Sequence, residues 1–115
     1  MLRLAAKTDH PKGSSMAKIV HKYEVNGAVI DMPLGARIIS VGFQGTPGMH
    51  GTDTALYVWA MFDVAEKRTE PRYITAHATG DASIPDDATH IGTAMTSYGG
   101  RHLVLHVYER GRIFN

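Results

Sequence analysis

Arg37, Arg72 and Arg101, with His77 and His90 and with Tyr57 and Trp59, are the side chains of this sequence best suited to hold a small anion that carries a flat ring. Guanidinium groups offer phosphate charge-assisted donors, imidazoles add hydrogen bonds, and a phenol or indole gives a base a stacking surface. Arg37 follows a tight turn and Arg72 opens an extended segment, so each is expected where a strand end meets solvent. Covalent chemistry is less well provided for. A nucleophilic Ser or Thr needs an oriented base beside it, and no Gly-x-Ser-x-Gly elbow is present, while Ser83 and Ser97 simply have acids nearby in loops. Gly45-Thr46-Pro47-Gly48-Met49-His50-Gly51 lacks the Gly-Lys-Ser/Thr end of a phosphate loop and precedes a strand, not a helix, so it reads as a loop or a flap. No catalytic residue is assigned, and the chain is expected not to be an enzyme.

The sequence contains seven His and no Cys, which excludes thiolate zinc sites, iron–sulfur clusters, disulfides and cysteine nucleophiles. His102 and His106 share one face of an extended segment, but strand rise sets them about 13 Å apart, too far to chelate one ion. Asp86, Asp87 and His90 are better read as solvated turn acids and a structural histidine, and His106, between Leu105 and Val107, as a core or interface residue bonded to a neighbouring strand. Neither a metal nor a cofactor is expected.

These groups must be positioned by a single core, since 115 residues make one domain and not two. An apolar share of 43 % and a charged share of 20 % fit a globular chain. The net charge of +1 is uneven: Arg3, Lys7 and Lys12 against Asp9 leave residues 1–15 at +2 and the remainder at −1, so the body does not read as a basic nucleic-acid binder. No apolar run approaches the roughly 20 residues of a membrane span. Residues 1–15 are polar, lack periodicity and end in Lys12-Gly13-Ser14-Ser15; they are expected to be a disordered leader, with residues 16–115 forming one β-rich domain.

From Met16 onward the pattern is strand after strand. Ile19, His21, Tyr23 and Val25 alternate with Lys22 and Glu24, and Asn26-Gly27 predicts a type I′ hairpin returning through Ala28–Asp31. Met32-Pro33-Leu34-Gly35 reads as a type I turn launching a strand over 36–43, with Ile39, Val41 and Phe43 on one face and Gly42 marking a bulge or a close contact. Ala55–Asp63 reads as a strand buried on both faces, 66–71 as a charged turn, 72–78 as extended, and 80–89 as an irregular link. Residues 91–96 and 103–108 form a last hairpin around Tyr98-Gly99-Gly100. No window supports a helix of several turns. The expected fold is all-β: a single-domain antiparallel sandwich or small barrel of about seven strands.

Lys22-Tyr23, Met32 through Val41 with Gln44, Val58-Trp59-Ala60-Met61-Phe62-Asp63, Gly80 with Ile84-Pro85, His90-Ile91-Gly92-Thr93 and His106-Val107-Tyr108-Glu109 together resemble a family of small uncharacterised proteins of tailed phages and prophages, over about residues 18–109. The resemblance implies a β-rich phage accessory protein working in the cytoplasm of the bacterial host, and supplies no catalytic residues. The 44–54 link is longer and richer in Gly than that family's pattern. The expected function is non-enzymatic sequestration of a small anionic, nucleotide-derived host defence signal. The alternative is a protein-interaction module that inhibits a host protein through a sheet edge or an aromatic patch. Strands with apolar groups on both faces also point to a homo-oligomer.

Overall fold

In the computed structural model, the structure describes residues 17–45, 54–98 and 100–111; residues 1–15, expected to be a leader, and most of the Gly-rich loop, 46–53, lie outside the described residues. The described chain is all strand: β1 (Lys18–Glu24), β2 (Ile30–Pro33), β3 (Arg37–Gly45), β4 (Thr54–Asp63), β5 (Thr69–Arg72), β6 (Ile74–Ala78), β7 (Ala88–Tyr98) and β8 (Arg101–Arg110). They form one antiparallel sheet in the order β1-β4-β3, a second in the order β6-β8-β7, and a ribbon of β2 with β5. None of the described residues forms a helix, so no helix among them is long and apolar enough to cross a membrane.

The central strand of each sheet carries the core. Leu56, Val58 and Ala60 of β4 are buried together with Val107 of β8, Ile74 of β6 and Ala94 of β7, and Met32 and Ala36 of the β2–β3 segment join the same cluster. The other side of β4, with Tyr57, Trp59 and Met61, is only half-buried. At one margin β3 meets β7 so closely that a Cβ on Gly92 would stand 2.6 Å from Val41 Cγ2. Only glycine permits that approach.

Several local expectations change once long-range pairing is included. The Asn26-Gly27 hairpin does not form, because β1 pairs with β4 and β2 crosses to β5. Asn26 has a negative φ, which excludes a type I′ turn, and its side-chain carbonyl accepts the Ala28 N–H at 3.2 Å. The turn before β3 lies one residue later than expected: Ala36 N–H donates to Pro33 O, and Gly35 stands third with φ +80, as a type II turn requires. Met32 is thereby released from the turn and fully buried. The register of β3 on β4 shifts between Ile38 and Ser40, so Ile38, Val41 and Phe43 face inward and Ile39 is 48 % exposed. A bulge adds one residue and reverses the alternation beyond it. Gly42 is neither the bulge nor a tight approach: the register shift lies between Ile38 and Ser40, and a Cβ on Gly42 would meet the Trp59 ring at 3.6 Å, an ordinary van der Waals contact. The eighth strand, β5, occupies part of the expected charged turn, where Pro71 is tolerated in a two-stranded ribbon opposite Asp31. The β7–β8 hairpin forms as expected.

Candidate functional site

Residues directly opposite in an antiparallel pair share a face, and the next pair along points to the other side. In the first sheet Lys22 lies opposite Trp59, Glu24 and Gly42 flank Tyr57, and Arg37 lies opposite Met61. Arg37, Tyr57, Trp59 and Lys22 therefore occupy one outward face. The Tyr57 and Trp59 rings are 6.1 Å apart and tilted by 53°, and Lys22 Nζ sits 4.6 Å from the Tyr57 centroid, within cation–π range. Lys22 also donates to Gln44 Oε1. Among the described residues, neither Arg37 nor Arg101 forms an ion pair with a carboxylate.

The second sheet gathers His77, His90 and His106 on the face turned away from the core, where His77 is itself buried. His77 and Thr93 lie opposite His106, and Thr75 and His90 lie opposite Tyr108; a register shift between His90 and Gly92 keeps His90 and Thr93 on the same side. His106 bonds Thr79 Oγ1 through Nε2 at 2.8 Å and Thr93 Oγ1 through Nδ1 at 3.1 Å, and His90 Nε2 reaches the same Thr93 hydroxyl at 2.9 Å. The His77 and His90 rings meet Tyr108 edge-on at 5.8 and 5.2 Å.

His77 belongs to a further chain of bonds. Its Nδ1 lies 2.9 Å from Asp81 Oδ2 and its Nε2 lies 2.8 Å from Thr75 Oγ1. The other carboxylate oxygen accepts the Ser83 hydroxyl at 2.6 Å and the Ser83 N–H at 2.9 Å. The Ser83 hydroxyl, then His77, then the Ser83 amide hold the Asp81 carboxyl down at about 2. An ionised Asp81 only accepts, so in the neutral imidazole the proton stands on Nδ1 and Nε2 is left to accept from the Thr75 hydroxyl. These groups line a cleft of about 370 Å³ beside β6, closed on the other side by Val25 and Gly27. The sequence reading noted Ser83 with an acid nearby but missed Thr75, Asp81, Thr93 and Tyr108; Thr-x-His on a strand, followed by an Asp in the next turn, is the local signal that brings Thr75, His77 and Asp81 together.

The seven ligand candidates thus do not make one site. Arg37, Tyr57 and Trp59 share the outer face of the first sheet, and His77 and His90 share that of the second. Arg101 stands at the start of β8, opposite Tyr98. Arg72, expected at a solvated strand end with its charge available, is 2 % exposed and bonded to Glu109 and the Ala36 carbonyl, so it is not free to bind an anion. Among the described residues no three His, Asp or Glu side chains are grouped to hold a metal ion; Asp87 instead meets Arg110 at 3.3 Å.

Fold and faces together define a small all-β protein of two three-stranded antiparallel sheets and a two-stranded ribbon, with polar, aromatic faces turned away from the core. By sequence the chain belongs to the family described as a domain of unknown function, DUF7352, whose model matches residues 16–113. No curated protein and no solved structure matches the chain.

Proposed function

We propose that this protein binds and sequesters a small anionic ligand bearing a flat ring, on the outer face of the first sheet. The observation that carries this reading is the placement of Arg37, Lys22, Tyr57 and Trp59 on one face, with the lysine ammonium already over one ring. Phosphate needs charge-assisted donors and a base needs a flat partner, and this face combines both. Resemblance to small phage and prophage proteins supports a nucleotide-derived host defence signal as the ligand and the bacterial cytoplasm as the place of action. Calorimetry against cyclic dinucleotides and ADP-ribose derivatives tests the reading. It expects micromolar or tighter binding to at least one of them, return of the ligand intact after heat denaturation, and loss of binding in Arg37→Ala and Trp59→Ala. Absence of binding across the panel refutes it.

A second reading, a protein-interaction module, is favoured by Met95, which is 70 % exposed near the end of the β7–β8 hairpin, and by the exposed Leu103 on the adjoining strand. Crosslinking in host lysate separates the two readings: capture of one host protein, lost in Met95→Lys and retained in Arg37→Ala, supports the second.

A further inference from the structure

The cleft of the second sheet shares no residue with the face of the first sheet proposed above for ligand binding. Three of its features coincide. The first is the series Asp81, His77, Thr75, with base-to-hydroxyl and base-to-carboxylate separations of 2.8 and 2.9 Å. That is the relation a nucleophilic hydroxyl needs with an oriented general base. The edge contact from Tyr108 packs the imidazole in place, and Ser83 holds the carboxylate with both its hydroxyl and its amide.

The second feature is the free edge of β6. The order β6-β8-β7 leaves that strand paired on one side only. Arg110 N–H donates to Tyr73 O at 2.8 Å, and the register sets Ile74 opposite Glu109. Antiparallel bonding alternates, so Thr75 and His77 direct their backbone groups toward β8 while Ile74 and Ala76 direct theirs to the open edge. The Ala76 N–H, next in sequence to the Thr75 hydroxyl, is therefore a donor pointing into the cleft that Ala76 helps to line. The third feature is the apolar wall formed by Val25, Ile74 and Ala76, which suits a short hydrocarbon chain.

The geometry points to a hydrolytic site for short-chain carboxylic esters, with Thr75 as nucleophile, His77 as general base and the Ala76 N–H as oxyanion donor. Thr75 Oγ1 attacks the ester carbonyl carbon while its proton passes to His77 Nε2, and the carbonyl electron pair moves to the oxygen held by the Ala76 N–H. The tetrahedral species collapses, the alcohol leaves with the proton from His77, and the acyl group remains on Thr75. Water then attacks the acyl carbon, giving one proton to His77; collapse releases the carboxylic acid and returns that proton to Thr75. One ester and one water become one acid and one alcohol. Asp81 and Ser83 are positioning residues, since they act through the imidazole.

The test uses the full chain with p-nitrophenyl butyrate and with a fluorophosphonate probe read by intact mass and peptide mapping. The expected result is a burst of p-nitrophenol followed by turnover, and a single phosphonyl adduct on Thr75. Thr75→Val removes both, Thr75→Ser keeps both, and His77→Gln lowers turnover about 100-fold or more. Circular dichroism checks the fold of each variant, and if His77→Gln does not fold, Asp81→Asn gives the same reading of an unoriented base. Turnover equal in wild type and Thr75→Val, an adduct elsewhere, or neither turnover nor adduct in wild type overturns the proposal. Val64→Ser, in the exposed turn after β4, is expected to leave hydrolysis and the adduct unchanged.

Discussion

Arg72 and Glu109 form a bidentate ion pair inside the protein, with Arg72 Nε on Oε2 and Nη2 on Oε1 at 3.0 Å. Arg72 is 2 % exposed and Glu109 7 %. The third guanidinium nitrogen donates to the Ala36 carbonyl at 2.8 Å, and Glu70 stands 3.8 Å away. One side chain at the end of β5 thus ties the ribbon to β8 and to the residue that leads into β3. Removing one partner leaves the other charge buried. Arg72→Ala is expected to destabilise the fold by about 3 to 5 kcal/mol in urea denaturation. The double variant Arg72→Met with Glu109→Leu is expected to recover most of that loss, and failure to recover would mean that the pair is worth more than apolar packing in its place.

Gly92 has no space for a methyl group. A Cβ would meet Val41 Cγ2 at 2.6 Å and Cβ at 2.9 Å, where β7 crosses β3. Gly92→Ala is expected to lower stability by about 1 to 3 kcal/mol through overpacking. Adding Val41→Ala should cost less in the Gly92→Ala background than in the wild type, because the same truncation removes the clash. A thermal-melt double-mutant cycle reads the coupling.

Asp81 makes stability depend on pH at the acid end. Its carboxyl falls from 3.8 to about 2 in the folded protein, so its contribution is fully present above about pH 4 and is lost as the pH drops through 2. Asp81→Asn lacks that contribution at every pH. The difference in melting temperature between wild type and Asp81→Asn is therefore expected to be constant from pH 5 to 7 and to close below pH 4. A gap that persists at pH 2 would assign it to packing and not to the charge.

Self-association is expected from the apolar groups left outside the core, foremost Met95, with Val20, Val29 and Leu103 also exposed. Pairing that covers such groups removes apolar area from water. Light scattering at micromolar concentration is expected to give twice the chain mass, and Met95→Lys the mass of one chain. A wild type that scatters as one chain refutes the expectation.

Period-two alternation, Pro and Gly punctuation and the absence of any helical stripe are local properties, and from them the sequence by itself determined an all-β chain, the strand at β4 and the β7–β8 hairpin; that β4 is buried on one side and only half-buried on the other, and not buried on both as expected, was decided by packing. The same alternation put Tyr57 with Trp59, and His102 with His106, on common faces, because side chains two apart on one strand always share a side. Which strand lies beside which is not local. The Asn26-Gly27 signal suited a hairpin, yet β1 pairs along its whole length with β4, Tyr23 opposite Val58, and the chain crosses over. A one-residue bulge at Ile39 left that side chain exposed, with Ile38 packed on the core, and local alternation carries no sign of it. Arg72 looked like a surface cation because arginine usually is one, and only the arrival of Glu109, 37 residues later, made burial affordable. The placement of Arg37, opposite Met61, on the face that carries Trp59, and of His77 opposite His106, likewise rests on register, which tertiary packing alone sets, since a shift by one residue sends every side chain to the opposite face.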